Sequence, residues 1–204
     1  MDMTIAVILF VLFVLIIVLF RQFYHADREY VVSSHNQRKY LVRSLENKED
    51  AAILLSKVGE KLQKLIDKLT KAYPKDSRVK LLAKRFDQYS LSETPGYSSY
   101  TSYSVNKGEK LVFCIRNRKQ PLDFIDNNTL LFVALHELAH IMTLSIGHNE
   151  EFWLNFRFLL AHAIHWKIYK PQNFRDNPKR YCGMTITDTP LQEGDRARFV
   201  NFES

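Results

Sequence analysis

The sequence predicts an α+β domain carried behind an N-terminal membrane-spanning helix, and three observations lead there. An unbroken apolar run opens the chain, amphipathic stretches of helical period follow, and the pattern switches to alternation between residues 97 and 116. The composition is that of a globular chain, with 204 residues, 46% of them hydrophobic and 13% aromatic, enough for one modest core. A net charge of +7 favours anionic surfaces, whether phospholipid headgroups, nucleic acid or acidic proteins, and charge alone does not choose among them.

From Ile5 to Phe20 every residue is apolar, and Met3 and Thr4 extend the run to about 18 residues, the length that crosses a hydrocarbon core as a helix. Arg21 ends it, and Phe23 and Tyr24 suit the interfacial belt. No basic segment precedes the run and no small-x-small site follows it, so a retained anchor is expected rather than a cleaved signal. Only Asp2 lies before the span, whereas Arg21, Arg28, Arg38, Lys39 and Arg43 follow it, which places the body of the chain in the cytosol. Cys114 and Cys182 sit in dissimilar contexts and read as free thiols of a reducing compartment. The expected organisation is an anchor at 1–22, a polar juxtamembrane stalk at 23–46 and one domain at 47–204, with its core at about 91–190.

From Lys48 to Tyr73, Ala51, Leu55, Val58, Leu62, Leu65, Ile66 and Leu69 fall on one helical stripe, with lysines on the other side and Pro74 as the stop. Ser77 to Tyr89 reads as a shorter helix with Val79, Leu82 and Phe86 inward. Tyr97 to Val105 alternates, Asn106-Lys107-Gly108 supplies a turn, and Lys110 to Arg116 is a dense apolar run, together a β-hairpin. Thr129 to Ser145 returns to a helical and very apolar pattern. Gly147 ends it, Asn149 caps a further helix running to about Trp166, and Met184 to Thr187 is a candidate strand in a loop-like tail.

The chemistry lies in that apolar helix. His136 and His140 are four residues apart, so both imidazoles leave one face a turn apart, the separation at which two nitrogens share a zinc ion at about 2.0–2.1 Å. Glu137 follows the first histidine and is placed to act as general base towards a zinc-activated water. Ionisable groups on a buried helix are costly unless something pairs them, and a metal would. A catalytic zinc needs a third protein ligand. His148 is favoured because Gly147 lets the chain fold back, while Glu150 and Glu151 are rivals whose place at a helix N-terminus explains them without metal. His162 and His165, three apart on the next helix, read as ordinary helix residues or outer partners.

With these residues in view, the segment from Leu91 to Trp153 resembles the WLM-domain metallopeptidases, related to the SprT-like group. Ile115-Arg116-Asn117-Arg118 resembles the family's strand of alternating arginines, Phe124 to Leu135 the connection into the active helix, and His136-Glu137-Leu138-Ala139-His140, Gly147-His148 and Phe152-Trp153 the core motif. The resemblance implies a zincin-like fold with a short sheet beside the HExxH helix, one zinc per chain held by His136, His140 and His148, and Glu137 as base. It also implies that the strand at Ile115, Arg116 and Asn117 lines the cleft and binds extended substrate. Compact proteins of this kind occur in large DNA viruses. Relatives tied to DNA–protein crosslink repair carry C-terminal partner motifs that are not legible here, so that role is not carried over.

The expected function is therefore a membrane-anchored zinc metallopeptidase acting on protein or peptide substrates. A different class remains open, a zinc-stabilised and proteolytically inactive binding module tethered to the membrane. Action near nucleic acid is supported only by the basic balance.

Overall fold

In the computed structural model, which describes residues 3–25 and 27–200, the apolar run forms helix α1 (Met3–His25). Its stretch Met3–Phe20 has a mean hydropathy of 3.4 and is exposed along its length. Among the described residues it is the one helix long and apolar enough to cross a membrane, a property that an anchor shares with a signal sequence. The side chains of Arg21, Phe23 and Tyr24, expected at the interface, lie outside the described atoms.

The segment expected as a stalk forms part of the sheet instead. Strands β1 (Arg28–Val32) and β2 (Lys39–Arg43) pair antiparallel, with Arg28 opposite Arg43 and Val32 opposite Lys39. The reason is the alternation of Tyr40 and Val42, both buried, with Lys39, Leu41 and Arg43. The charged residues around this short alternation hide it in the sequence. Gln37, at φ 59°, closes the intervening turn, with its amide on the Ser33 carbonyl.

Helix α2 (Lys48–Ala72) buries the predicted stripe, including Leu55, Leu62, Leu65 and Leu69. Each such leucine stabilises the fold by roughly 1.5–3 kcal/mol relative to leaving it in water. Helix α3 (Ser77–Arg85) starts at Asp76, whose carboxylate accepts the Arg78 amide at 2.8 Å. It stops earlier than expected because Phe86 is already extended, leading into strand β3 (Leu91–Glu93), which is buried throughout.

Strands β4 (Ser102–Val105) and β5 (Lys110–Phe113) form the expected hairpin. The five strands run in the order β1-β2-β3-β5-β4, with β2–β3 and β3–β5 parallel and the outer pairs antiparallel. This mixed sheet leaves β4 as a free edge. Helices α4 (Asn127–Met142) and α5 (Glu150–His165) pack on each other, and α4 also lies beside β4. The tail contributes a two-stranded sheet, β6 (Lys179–Tyr181) with β7 (Met184–Ile186), and a short helix α6 (Asp195–Val200).

Cys114 and Cys182 are not free thiols. They form a disulfide with Cα atoms 6.2 Å apart, joining the end of β5 to the turn between β6 and β7. The two cysteines are 68 residues apart, and only the tertiary fold brings them together. The reducing compartment inferred from them loses its support.

Candidate metal centre

Helix α4 begins at Asp126, whose carboxylate accepts the amides of Asn128 at 3.1 Å and Thr129 at 3.0 Å. Its buried face, with Leu130, Leu131, Leu135, Leu138 and Ile141, fixes its rotation against the core. That rotation leaves His136 and His140 half-buried on one cleft-lining face. The helix ends at Thr143, Gly147 turns the chain at φ 87°, and His148 folds back onto the pair.

The three Nε2 atoms form a nearly equilateral triangle: His136 to His140 is 3.2 Å, His140 to His148 is 3.1 Å, and His148 to His136 is 3.1 Å. Nitrogens on a tetrahedral ion at about 2.0–2.1 Å stand roughly 3.3–3.4 Å apart, so the triangle fits a zinc-sized ion. Three imidazole nitrogens cannot satisfy one another at this spacing, because each ring has at most one proton to place between them. Burial and the neighbouring imidazoles push His136 down to about 3, and burial first, then His148, pushes His140 down to about 4. Both rings are therefore neutral and ligand-competent near pH 7.

The rival carboxylates are engaged elsewhere or open to solvent. Glu151 accepts the backbone amides of Leu144 at 3.0 Å and Ser145 at 3.2 Å, and Glu150 is exposed on the first turn of α5. Glu137 is 5% exposed, and burial pushes its carboxyl up to about 7. Among the described residues no ion pair or hydrogen bond engages it. A buried carboxyl near neutrality is suited to take up and release a proton at physiological pH.

An aromatic floor lies under the triad. The Phe152 ring, fully buried on α5, is 4.3 Å from His140, 4.6 Å from His148 and 4.9 Å from His136, centroid to centroid. Phe156 supports His136 from the next turn at 5.3 Å. Asn149 caps α5 by accepting the Phe152 amide at 3.1 Å, so the cap of the helix carrying this floor directly follows His148.

The triad opens into a cleft of about 1300 Å³. One wall is the edge strand and the residue before it, with Thr101, Ser102, Tyr103 and Ser104, and another is the β6–β7 hairpin, with Tyr181, Met184 and Ile186. The Tyr181 hydroxyl is 2.5 Å from Ser102 Oγ, its ring is 1% exposed, and burial raises its pKa above the ordinary phenol value, with the charge of Glu137 adding to the rise. Sequence reasoning offers the Tyr181-Cys182-Gly183-Met184 segment as a wall of the site, without a physical argument and without a role for the Tyr181 hydroxyl. A tyrosine ahead of a cysteine in a polar tail carries no periodic signal.

The structure corrects one predicted contact. Ile115, Arg116 and Asn117 line a separate cavity of about 330 Å³, not the histidine cleft. Ile115 is fully buried, and Arg116, 2% exposed, donates from Nε to Glu93 at 2.7 Å and stacks on Phe124. The arginine is committed to holding the sheet, and β4, two strand positions from β3, is the edge that faces the cleft. His162 is fully buried, with Nδ1 2.8 Å from the Phe158 carbonyl and Nε2 2.7 Å from the Tyr73 hydroxyl, while His165 is exposed.

Comparison with known proteins agrees with the motif. The WLM domain profile matches residues 34–203. Protein R325 of Acanthamoeba polyphaga mimivirus is 33% identical over 171 residues, covering 82% of this chain and 86% of its own. Protein 136R of Invertebrate iridescent virus 6 is 34% identical over 82 residues, 40% of this chain and 44% of its own length. The crystal structure of Wss1 from Saccharomyces cerevisiae aligns with a TM-score of 0.46 at 24% identity, covering 62% of this chain and 86% of that one. The chain belongs to the WLM-domain family of metalloproteases.

Proposed function

We propose that this WLM-family chain is a zinc-dependent peptidase tethered to a membrane by residues 1–22. The observation that carries the proposal is the convergence of three imidazole Nε2 atoms within 3.2 Å of one another, with a buried, unpaired Glu137 next in sequence to the first. His136, His140 and His148 would hold the ion, leaving a fourth position open towards the cleft. A bound zinc ion supplies Lewis acidity towards carbonyl and water oxygens.

The chain's own groups do the rest. Glu137 accepts a proton from the attacking water and returns it to the departing amine, so the acid and base roles fall on one carboxyl. The Tyr181 hydroxyl, held by Ser102, is a hydrogen-bond donor for the oxyanion that develops on the peptide carbonyl. The free edge of β4 pairs with an extended peptide through its backbone, while Ile186, Phe132 and Phe156 give the cleft apolar surface for substrate side chains. The phenyl floor of Phe152 excludes water from beneath the triad.

The anchor and the orientation rest on α1 and on the positive charge that follows it, which favours a domain in the cytosol. The disulfide is the opposing observation, because such bonds persist in oxidising compartments. Protease protection of the domain in sealed vesicles decides between the two sides. Tethering raises the local concentration of membrane-bound protein substrates.

The primary test is cleavage of an unstructured protein by the zinc-loaded full chain in detergent micelles, with Glu137→Gln in parallel. Cleavage by the wild type alone supports the peptidase. No cleavage by either, with one zinc bound per chain, supports the zinc-stabilised binding module instead.

A further inference from the structure

The loop between α4 and α5, residues 143–149, carries the third imidazole and has little core to hold it: Leu144 is 70% exposed and Ile146 90%. Metal coordination tolerates displacements of only about 0.2 Å, so something else must fix this loop. What fixes it is polar. Lys107 Nζ donates to three consecutive carbonyls, those of Thr143 at 2.9 Å, Leu144 at 2.6 Å and Ser145 at 2.9 Å. An ammonium has three N–H donors, and here all three are engaged.

The amide side of the same peptides is held by an opposite charge. Glu151 accepts the Leu144 and Ser145 amides at 3.0 and 3.2 Å and the Ser145 hydroxyl at 2.5 Å. The loop is thus gripped by its carbonyls from one strand turn and by its amides from the helix that follows.

The turn bearing Lys107 is built for this. Asn106 and Lys107 have φ of 46° and 53°, a conformation that L-residues rarely adopt, and Gly108 follows at 117°. A Cβ on Gly108 would meet the Arg85 carbonyl oxygen at 2.7 Å, so the turn is seated against the end of α3. Arg85 in turn donates to the Ile141 carbonyl at 3.1 Å, which puts two cations on the carbonyl end of α4, where the helix dipole favours them.

We propose that Lys107 and Glu151 are positioning residues for the third ligand, clasping loop 143–149 so that His148 Nε2 meets His136 and His140. Neither residue touches the ion. The proposal rests on the metal-site reading above and assigns to it two residues that the HExxH motif does not contain.

The test measures metal affinity of the full chain in detergent micelles by chelator competition, and the visible absorption of the cobalt(II) form. Lys107→Met and Glu151→Ala are compared with wild type and with Lys61→Met, an exposed lysine of α2. The expected result is a zinc affinity lowered about 10- to 100-fold in both loop variants and unchanged in Lys61→Met. The cobalt band should weaken as water replaces the third imidazole, while the metal-free melting temperature stays within a few degrees of wild type. Wild-type affinity and spectrum in both loop variants would overturn the clasp alone. So would an affinity loss that merely follows unfolding of the metal-free chain. A wild-type chain that binds neither zinc nor cobalt overturns the metal-site reading itself, and the clasp with it.

Discussion

Glu93 and Glu137 are both buried carboxylates, 1% and 5% exposed, and they have opposite surroundings. Glu93 closes an ion pair with Arg116 at 2.7 Å and accepts the Arg43 amide at 2.8 Å, so its burial, which raises its pKa, is opposed by a full set of partners. Glu137 has burial as the sole cause of its upward shift and no cation beside it. One carboxylate is satisfied and holds β2, β3 and the chain after β5 together. The other is left unsatisfied beside three imidazoles. An unpaired buried acid of this kind is the feature on which the proposed role of Glu137 as general base rests.

The sharpest way to break this comparison is to neutralise each acid in turn. Glu137→Gln should lower peptide cleavage by about 10²- to 10⁴-fold, the range of a lost general base, and leave the melting temperature of the metal-free chain unchanged or raised. Turnover assays and calorimetry on one sample check both halves. Glu93→Gln should do the reverse. Leaving Arg116 charged and buried without its partner costs about 3–5 kcal/mol of stability, read as a lower denaturation midpoint, with cleavage per folded molecule retained. Activity lost at unchanged stability in Glu93→Gln would erase the distinction.

The disulfide connects the two regions, because Cys114 lies two residues from Arg116 and Cys182 one from Tyr181. Its removal by Cys114→Ser with Cys182→Ser should lower stability by about 2–4 kcal/mol, the typical contribution of a native disulfide. It should also loosen the Tyr181 wall and leave the Glu93–Arg116 pair intact, and hydrogen exchange on the two segments resolves that difference. The smallest effect belongs to Tyr181→Phe. It should lower kcat about 10²-fold with KM nearly unchanged, the signature of a donor used only in the transition state.

Much of this was legible in the sequence, and for physical reasons. The helix spacing of His136 and His140 survives any tertiary context, and the stripe of α2 is long enough for its period to declare itself. The hairpin of β4 and β5 was marked by its Asn106-Lys107-Gly108 turn. What was missed is short or non-local. Strand β3 has three residues, and β1 and β2 have five each, with charges interleaved among few apolar positions. The pairing of Cys114 with Cys182, the burial of Arg116 and the place of Tyr181 depend on contacts between residues far apart in the chain. The family resemblance points Arg116 at substrate, and nothing local to the residue shows that its partner is a glutamate 23 residues earlier.

The parallel pairing of β2 with β3, Leu41 opposite Ser92, has a consequence for how the chain assembles. That contact closes only after all of α2 and α3 has been made, and β3 pairs with β5 only once the turn beyond it is in place. Long-range parallel contacts raise contact order and slow folding. A ribosome-bound chain would therefore hold the β1–β2 hairpin with an open edge while about 50 further residues emerge, at roughly 5–20 residues per second. Over those seconds the exposed strand is open to pairing with other chains, which makes the N-terminal half the stretch where misassembly begins.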